Sequence, residues 1–187
     1  MARHKSVSDD DLLDRLMPAL VRHGPDGLTL ALAGAAAGVS PATLVQRFRS
    51  REAMIEAVLL RAWDRLDAAT DAADAGAAEG AEGAMDLLAA LMPLDQAETD
   101  VTDGLLLLRE DFRNPVLRAR GKAWGERLAA ALGRRLDPAP EVGLGLGWQM
   151  LQVWQGALIW WAFTRQGTAA DYVQAALSAW FRAVGLR

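Results

Sequence analysis

The chain has 187 residues, 52% of them apolar, which is ample for a packed core and too many for a disordered segment. It holds no cysteine and only two histidines, His4 and His23, which excludes a disulfide framework, a thiolate zinc site, a cysteine nucleophile and a histidine-based metal site. The net charge of −4 is unevenly spread: residues 1–65 carry nine Lys/Arg against eight Asp/Glu, and Pro41 to Arg51 holds three arginines and no acid. The opening MARHKSVSDDD has no apolar run to make a signal peptide, so a cytoplasmic location is expected.

Helical periodicity runs through the whole chain, no alternating strand pattern occurs, and an all-α fold is expected. Ser8 is placed to cap a first helix whose opening acids, Asp9, Asp10 and Asp11, favour the positive end of the helix dipole. Leu12, Leu16 and Leu20 follow at helical spacing, and Pro18 should kink this helix or cost it a hydrogen bond. The run His23-Gly24-Pro25-Asp26-Gly27 reads as a stop and turn. Thr29 can cap a short second helix, Leu30–Ala37, ended by Gly38. Ser40 can cap a third to Phe48, with Pro41 at its first position. Ser50 opens a fourth helix reaching about Ala69. Residues 70–84, rich in Ala, Gly and acid, read as a loop or loosely held helix. Further helices are expected near 84–93, 101–112, 115–136, 141–166 and 169–184. Three helices in about fifty residues, the last two joined at a glycine turn, outline a helix-turn-helix unit. The expected division is a helix-turn-helix head over residues 1–50, a connecting helix over 51–69, and a larger helical body over 70–187.

The stretch Thr29–Val58 resembles the head of the TetR family of bacterial transcriptional regulators. The matching residues are Thr29, Ala37, Gly38, Val39, Ser40, Thr43, Leu44, Phe48, Ser50 and Glu52. The resemblance implies that the third helix is the recognition helix. Its DNA-facing set would be Thr29, Ser40, Pro41, Ala42, Thr43, Val45, Gln46, Arg47 and Arg51, with Lys5 on an N-terminal arm. Gln46 can pair with adenine, and Arg47 can reach guanine or a phosphate. Hydroxyls of Thr29, Ser40 and Thr43 suit phosphate oxygens, and Arg51 stands where the family has a phosphate-binding lysine. Five positions depart from the family pattern. Val45 replaces a tyrosine, Pro41 and Ala42 replace residues that often approach bases, and Ala33-Gly34 leaves the second helix underfilled.

Val142–Thr164 contains no charge, but Gln149, Gln152 and Gln155 and four glycines argue for a helix buried on several sides over a membrane span. The resemblance implies that the last two helices pair with their two-fold mates. Trp154, Leu158, Trp161, Val173, Leu177, Trp180 and Val184 are the expected homodimer stripe. Met85, Leu88, Met92, Leu105, Leu108, Phe112, Trp124, Trp148 and Gln152 are the expected lining of a pocket for a small apolar or aromatic ligand. The six basic residues of 115–135 scatter around their helix and read as solvated surface. No nucleophile–base pair, metal motif or phosphate loop occurs, so no catalysis, cofactor or metal is expected. The function expected is a repressor that binds a palindromic operator in double-stranded DNA and is released by the ligand. The alternative is a small-molecule-binding or interaction protein of the same fold that has lost operator reading.

Overall fold

The computed structural model describes residues 7–91 and 107–186, all in helices and the turns between them. The helices are α1 (Asp9–Gly27), α2 (Leu30–Ala37), α3 (Pro41–Phe48), α4 (Arg51–Gly76), α5 (Gly80–Leu91), α6 (107–113), α7 (Pro115–Leu136), α8 (Pro140–Thr164) and α9 (Ala169–Ala183). Among the described residues there is no strand, and no helix is long and apolar enough to cross a membrane. The fold is all-α, with a helix-turn-helix head and a helical body. Its packing forms two compact units. One holds α1, α2, α3, α4 up to Arg65, α6 and the start of α7 up to Arg120; the other holds the rest of α4 and α7 with α5, α8 and α9.

Local chemistry sets the boundaries in the first unit. The Ser8 hydroxyl accepts the Asp11 amide at 3.1 Å and starts α1. The backbone stays helical through Pro18, so that residue costs a hydrogen bond and does not break the helix. The break falls at Gly24, whose φ of 67° and ψ of 165° only glycine adopts easily. Thr29 Oγ1 accepts from Leu32 N at 3.2 Å to open α2, and Gly38 closes it in the left-handed region. Ser40 Oγ accepts from Thr43 N at 3.1 Å to open α3. Leu12, Leu16, Leu20, Leu28, Leu44, Met54 and Val58 are wholly buried together, which fixes α3 on α1, α2 and the start of α4.

Gly34, expected to leave α2 underfilled, serves a different end. A Cβ there would lie 2.7 Å from the Val39 carbonyl oxygen, so its bareness admits the α2–α3 turn. Arg61 holds α4 to α1 through Asp14 (3.1 Å) and Asp10 (3.0 Å), and the paired arginine holds the Asp14 carboxyl below its usual pKa.

In the second unit α4 continues as helix to Gly76, seven residues past the expected end at Ala69. Asp67 pairs with Arg127, and Asp74 pairs with Arg134 at 2.7 Å and Arg135 at 2.6 Å, so α7 supports this alanine-rich run. The basic residues of α7 are surface charges largely engaged in ion pairs; of these paired side chains only that of Arg135, 5% exposed, is enclosed. Thr70, buried, accepts from Trp124 Nε1 at 2.9 Å and donates to the Leu66 carbonyl at 2.7 Å. Helices α7 and α8 cross backbone to backbone: a Cβ on Gly147 would stand 1.9 Å from the Ala129 carbonyl oxygen.

Candidate nucleic-acid interface

Helix α3 shows one face to the core and one to solvent. Leu44 is wholly buried and Phe48 packs against the same core, while Pro41, Ala42, Val45 and Gln46 are exposed and Thr43 and Arg47 half-buried. The exposed side is the polar and small-residue side, which suits a groove lined by base edges and phosphates. Ser40 and Thr43 hydroxyls lie 2.9 Å apart at the helix start, where Pro41 has no N–H and the Thr43 amide is capped by Ser40 Oγ. Thr29 is likewise exposed at the start of α2.

The arginines of this face differ in their engagement. Arg47 Nη1 donates to Asp9 Oδ1 at 2.9 Å, which ties the recognition-type helix to the first turn of α1. Arg51 is half-buried, and its guanidinium donates to the carbonyls of Leu28 (2.8 Å), Asp26 (2.9 Å) and Pro25. It closes the carbonyl end of the α1–α2 connection onto α4, a structural clamp that composition and spacing gave no sign of. Arg49 is exposed: its backbone N–H donates to the Val45 carbonyl at 2.9 Å, and its side chain has no hydrogen-bond or ion-pair partner among the described residues. Lys5 lies outside the described residues.

The other expected sites are placed less uniformly. Met92 and Leu105 lie outside the described residues. Met85 and Leu88 line a groove of about 220 Å³ between α5, α8 and α9, together with Asp86, Trp154, Val173 and Leu177. Trp124 is buried against Thr70, Trp148 lies over Gly125, and Gln152 is exposed. Leu108 and Phe112 belong to the first unit, Leu108 half-buried and Phe112 63% exposed.

The dimer stripe needs correction. Trp154, Leu158, Trp161, Val173 and Leu177 are each at most 4% exposed, because the apolar stripe of α9 packs on α8 and α5 of its own chain. A side chain so enclosed cannot meet a partner. Trp180 is half-buried and Val184 exposed. The apolar side chains that α8 leaves outside are Val142, Leu144, Ile159, Trp160 and Phe163, a set the periodicity alone did not separate from the core.

The first unit also contains an open cleft of about 680 Å³, floored by Ile55, Leu59 and Leu117 and rimmed by Asp26, Glu52 and Glu110. Among the described residues no cluster of His, Cys, Asp or Glu has the makings of a metal site.

A short capped helix seated on the core by Leu44 and Phe48, after a glycine turn, makes residues 9–48 a helix-turn-helix head, with a helical body behind it in the chain. The family model for "Bacterial regulatory proteins, tetR family" matches residues 12–58, so the head is a TetR-type head, as the resemblance implied. No curated protein matches the chain at a significant level. Solved structures share the fold along almost the whole length. A candidate transcriptional regulator from Pseudomonas aeruginosa PAO1 superposes with a TM-score of 0.68 at 16% identity, covering 98% of this chain and 94% of that one. A TetR transcriptional regulator from Legionella pneumophila gives 0.65 at 16% identity, covering 95% and 98%. The TetR-family regulator PfmR from Thermus thermophilus gives 0.59 at 21% identity, covering 89% and 94%.

Proposed function

We propose that this chain is a cytoplasmic transcriptional regulator that binds a palindromic operator as a homodimer and acts as a repressor. One observation carries the reading: α3 anchors through Leu44 and offers Ala42, Val45 and Gln46 outward, beside the Ser40 and Thr43 hydroxyls. In this reading Gln46 and Arg47 meet base edges, and Thr29, Ser40 and Thr43 meet phosphates. Pro41, Ala42 and Val45 supply close apolar contact, and Lys5 reaches the backbone from the arm. Arg51 contributes by clamping the head, which is the office its three carbonyl partners give it.

The dimer is proposed to form through the outward faces of α8 and α9. Gly145 and Gly156 have no heavy atom within 4 Å of an added Cβ, so the chain's own packing does not require glycine at either position. A mid-helix glycine costs up to about 1 kcal/mol, and close approach of a partner helix would justify it. Two heads fixed at one spacing would then read two half-sites.

A small apolar or aromatic ligand is proposed to bind the body and favour a head spacing that fits the operator less well. The groove at Met85 and Leu88 supports this, although its volume lies below the roughly 300 Å³ at which drug-sized pockets begin, so the ligand is small or widens it.

The test is selection of genomic fragments on the purified protein. The expected result is one enriched palindrome whose binding weakens steeply with salt and is lost in Arg47→Ala. Enrichment of no sequence would overturn the operator reading. It would favour the alternative of a small-molecule-binding or interaction protein on the same fold, for which Val45 in place of a tyrosine, Pro41 and the small residues of α2 are the motivating features.

A further inference from the structure

Phe48, Arg49 and Ser50 join α3 to α4 through a backbone conformation that side chains avoid. Arg49 has φ 74° and ψ −48°, and the Ser50 amide donates to the Phe48 carbonyl at 2.9 Å. That hydrogen bond across one residue, with positive φ at its centre, is the rare and strained form of γ-turn. Glycine would adopt it without clash. Five of the seven residues with positive φ among those described are glycines; the two exceptions are Arg49 and Arg165. Strain retained at a non-glycine residue beside a binding face is a reason to look for work done by its side chain.

Arg165 has such a use within the fold: its guanidinium stacks 4.6 Å from the Trp161 ring and donates to the Ala162 carbonyl. Arg49 has none. Its side chain is exposed and meets no acid, carbonyl or ring among the described residues, whereas Arg47 is held by Asp9 and Arg51 by three carbonyls. The helix that it follows has eight residues, about 12 Å of rise. The B-form major groove is also about 12 Å wide. A helix of that length laid across the groove has its Ser40 end at one phosphate wall and its Arg49 end at the other.

We infer that Arg49 is a phosphate-anchoring residue: the strained turn at 48–50 holds an uncommitted guanidinium against the DNA backbone opposite the Ser40–Thr43 end. The contact is independent of sequence, sets the depth and register of α3, and supplies the cation that Arg51 cannot while it clamps the α1–α2 connection. The inference rests on the DNA-binding reading above.

The experiment uses the full chain and a mixed-sequence duplex, with affinity measured across a salt series, for wild type, Arg49→Gly, Arg49→Ala and Arg49→Lys. Arg49→Gly is the informative variant because it relieves the backbone strain while removing the charge. It is expected to melt higher than wild type, to bind roughly tenfold more weakly at low salt, and to lose about one unit of log–log salt slope per head. Arg49→Ala is expected to match its DNA loss while melting lower, and Arg49→Lys to keep most of the slope. Wild-type binding with an unchanged slope in Arg49→Gly and Arg49→Ala would overturn the inference alone. Absence of any duplex binding by wild type would overturn it together with the DNA-binding reading, since Arg49 would have no phosphate to meet.

Discussion

In the proposed complex, Asp9 and DNA would compete for Arg47. At 2.9 Å the pair satisfies Arg47 in the free head, and any guanine or phosphate that takes the guanidinium must first displace the carboxylate. The pair is exposed on the Asp9 side, so it is worth at most about 1 kcal/mol, but its removal also takes a negative charge away from the approaching phosphates. Asp9→Asn is therefore expected to tighten binding to duplex DNA by roughly fivefold at low salt. The gain should shrink in an Arg47→Ala background. An equal gain with and without Arg47, read from a double-mutant cycle of duplex affinities, would show that Asp9 acts by general repulsion and leaves Arg47 free. A second residue-scale expectation concerns Gly147. An added methyl would meet the Ala129 carbonyl at 1.9 Å and the Gly133 amide nitrogen at 2.9 Å, both backbone atoms that cannot swing aside. Gly147→Ala should cost about 1–3 kcal/mol, or more where α7 and α8 cannot separate, visible as a lower urea midpoint.

Between elements, two carboxylates of opposite tendency make the folded state's pH response separable. Burial raises the Asp111 pKa, the Trp63 Nε1 hydrogen bond at 2.9 Å opposes that shift, and neighbouring Glu110 adds to it. A raised carboxyl pKa means the folded state prefers the proton, so the ionised group penalises folding above its ordinary value of 3.8 and the penalty fades as pH falls. For Asp74 burial also pushes upward, but the hydrogen bonds and charges of Arg135 and Arg134 prevail and the pKa is lowered. Its contribution is therefore present above 3.8 and is lost as pH drops through the lowered folded value. Asp111→Asn keeps an acceptor for Trp63 and removes the buried charge. It should raise neutral-pH stability and steepen the loss on acidification, because the Asp74 term then acts unopposed. Urea unfolding at pH 7 and at a pH below 3.8, where the Asp74 contribution is being lost, checks the sign; a variant less stable than wild type at pH 7 would mean Trp63 needs the full carboxylate.

The same element scale explains what the sequence made legible. Helices α2 and α3 were readable because their ends are local events: Thr29 and Ser40 cap within three residues, and Gly38 turns where it stands. The end of α4 was not, because its last two turns are held by pairs such as Asp74–Arg135, 61 residues apart. Periodicity likewise showed that α8 and α9 each have an apolar face but not what that face touches. The stripe with the better pattern, Val173 and Leu177, turned inward. At the site, the placing of α3 was legible from Leu44 and Phe48. The tying of Arg47 to Asp9, 38 residues away, and the strained turn at Arg49 required coordinates.

For the whole molecule, the proposed mechanism needs two heads on one duplex, and the burial pattern selects the surface that must join them. Among the positions α8 leaves outside, Gly145, Gln149, Gln152, Ile159, Trp160 and Phe163 share one stripe at helical spacing, and Gln149 Oε1 receives the Trp180 Nε1 hydrogen bond from α9 at 3.4 Å. Trp160 and Phe163 are 63% and 76% exposed, with ring centroids 5.8 Å apart, and they concentrate apolar area at the end of this stripe. Isolated exposed apolar residues need no explanation, but two large aromatics continuous with polar glutamines and unneeded glycines match the core and rim of an interface. The double substitution Trp160→Glu and Phe163→Glu places like charges on the exposed aromatic end of the proposed two-fold contact and spares the chain's own buried core. It is expected to give a helical monomer by sedimentation, with the helix signal of wild type. Duplex affinity should then fall by about a hundredfold or more, since each head loses the effective concentration supplied by its mate. Binding of one half-site by a single head should remain, weak and strongly salt-dependent. A variant that stays dimeric would locate the interface elsewhere. A monomer with undiminished operator affinity would show that one head suffices, and the need for a palindrome would fall with it.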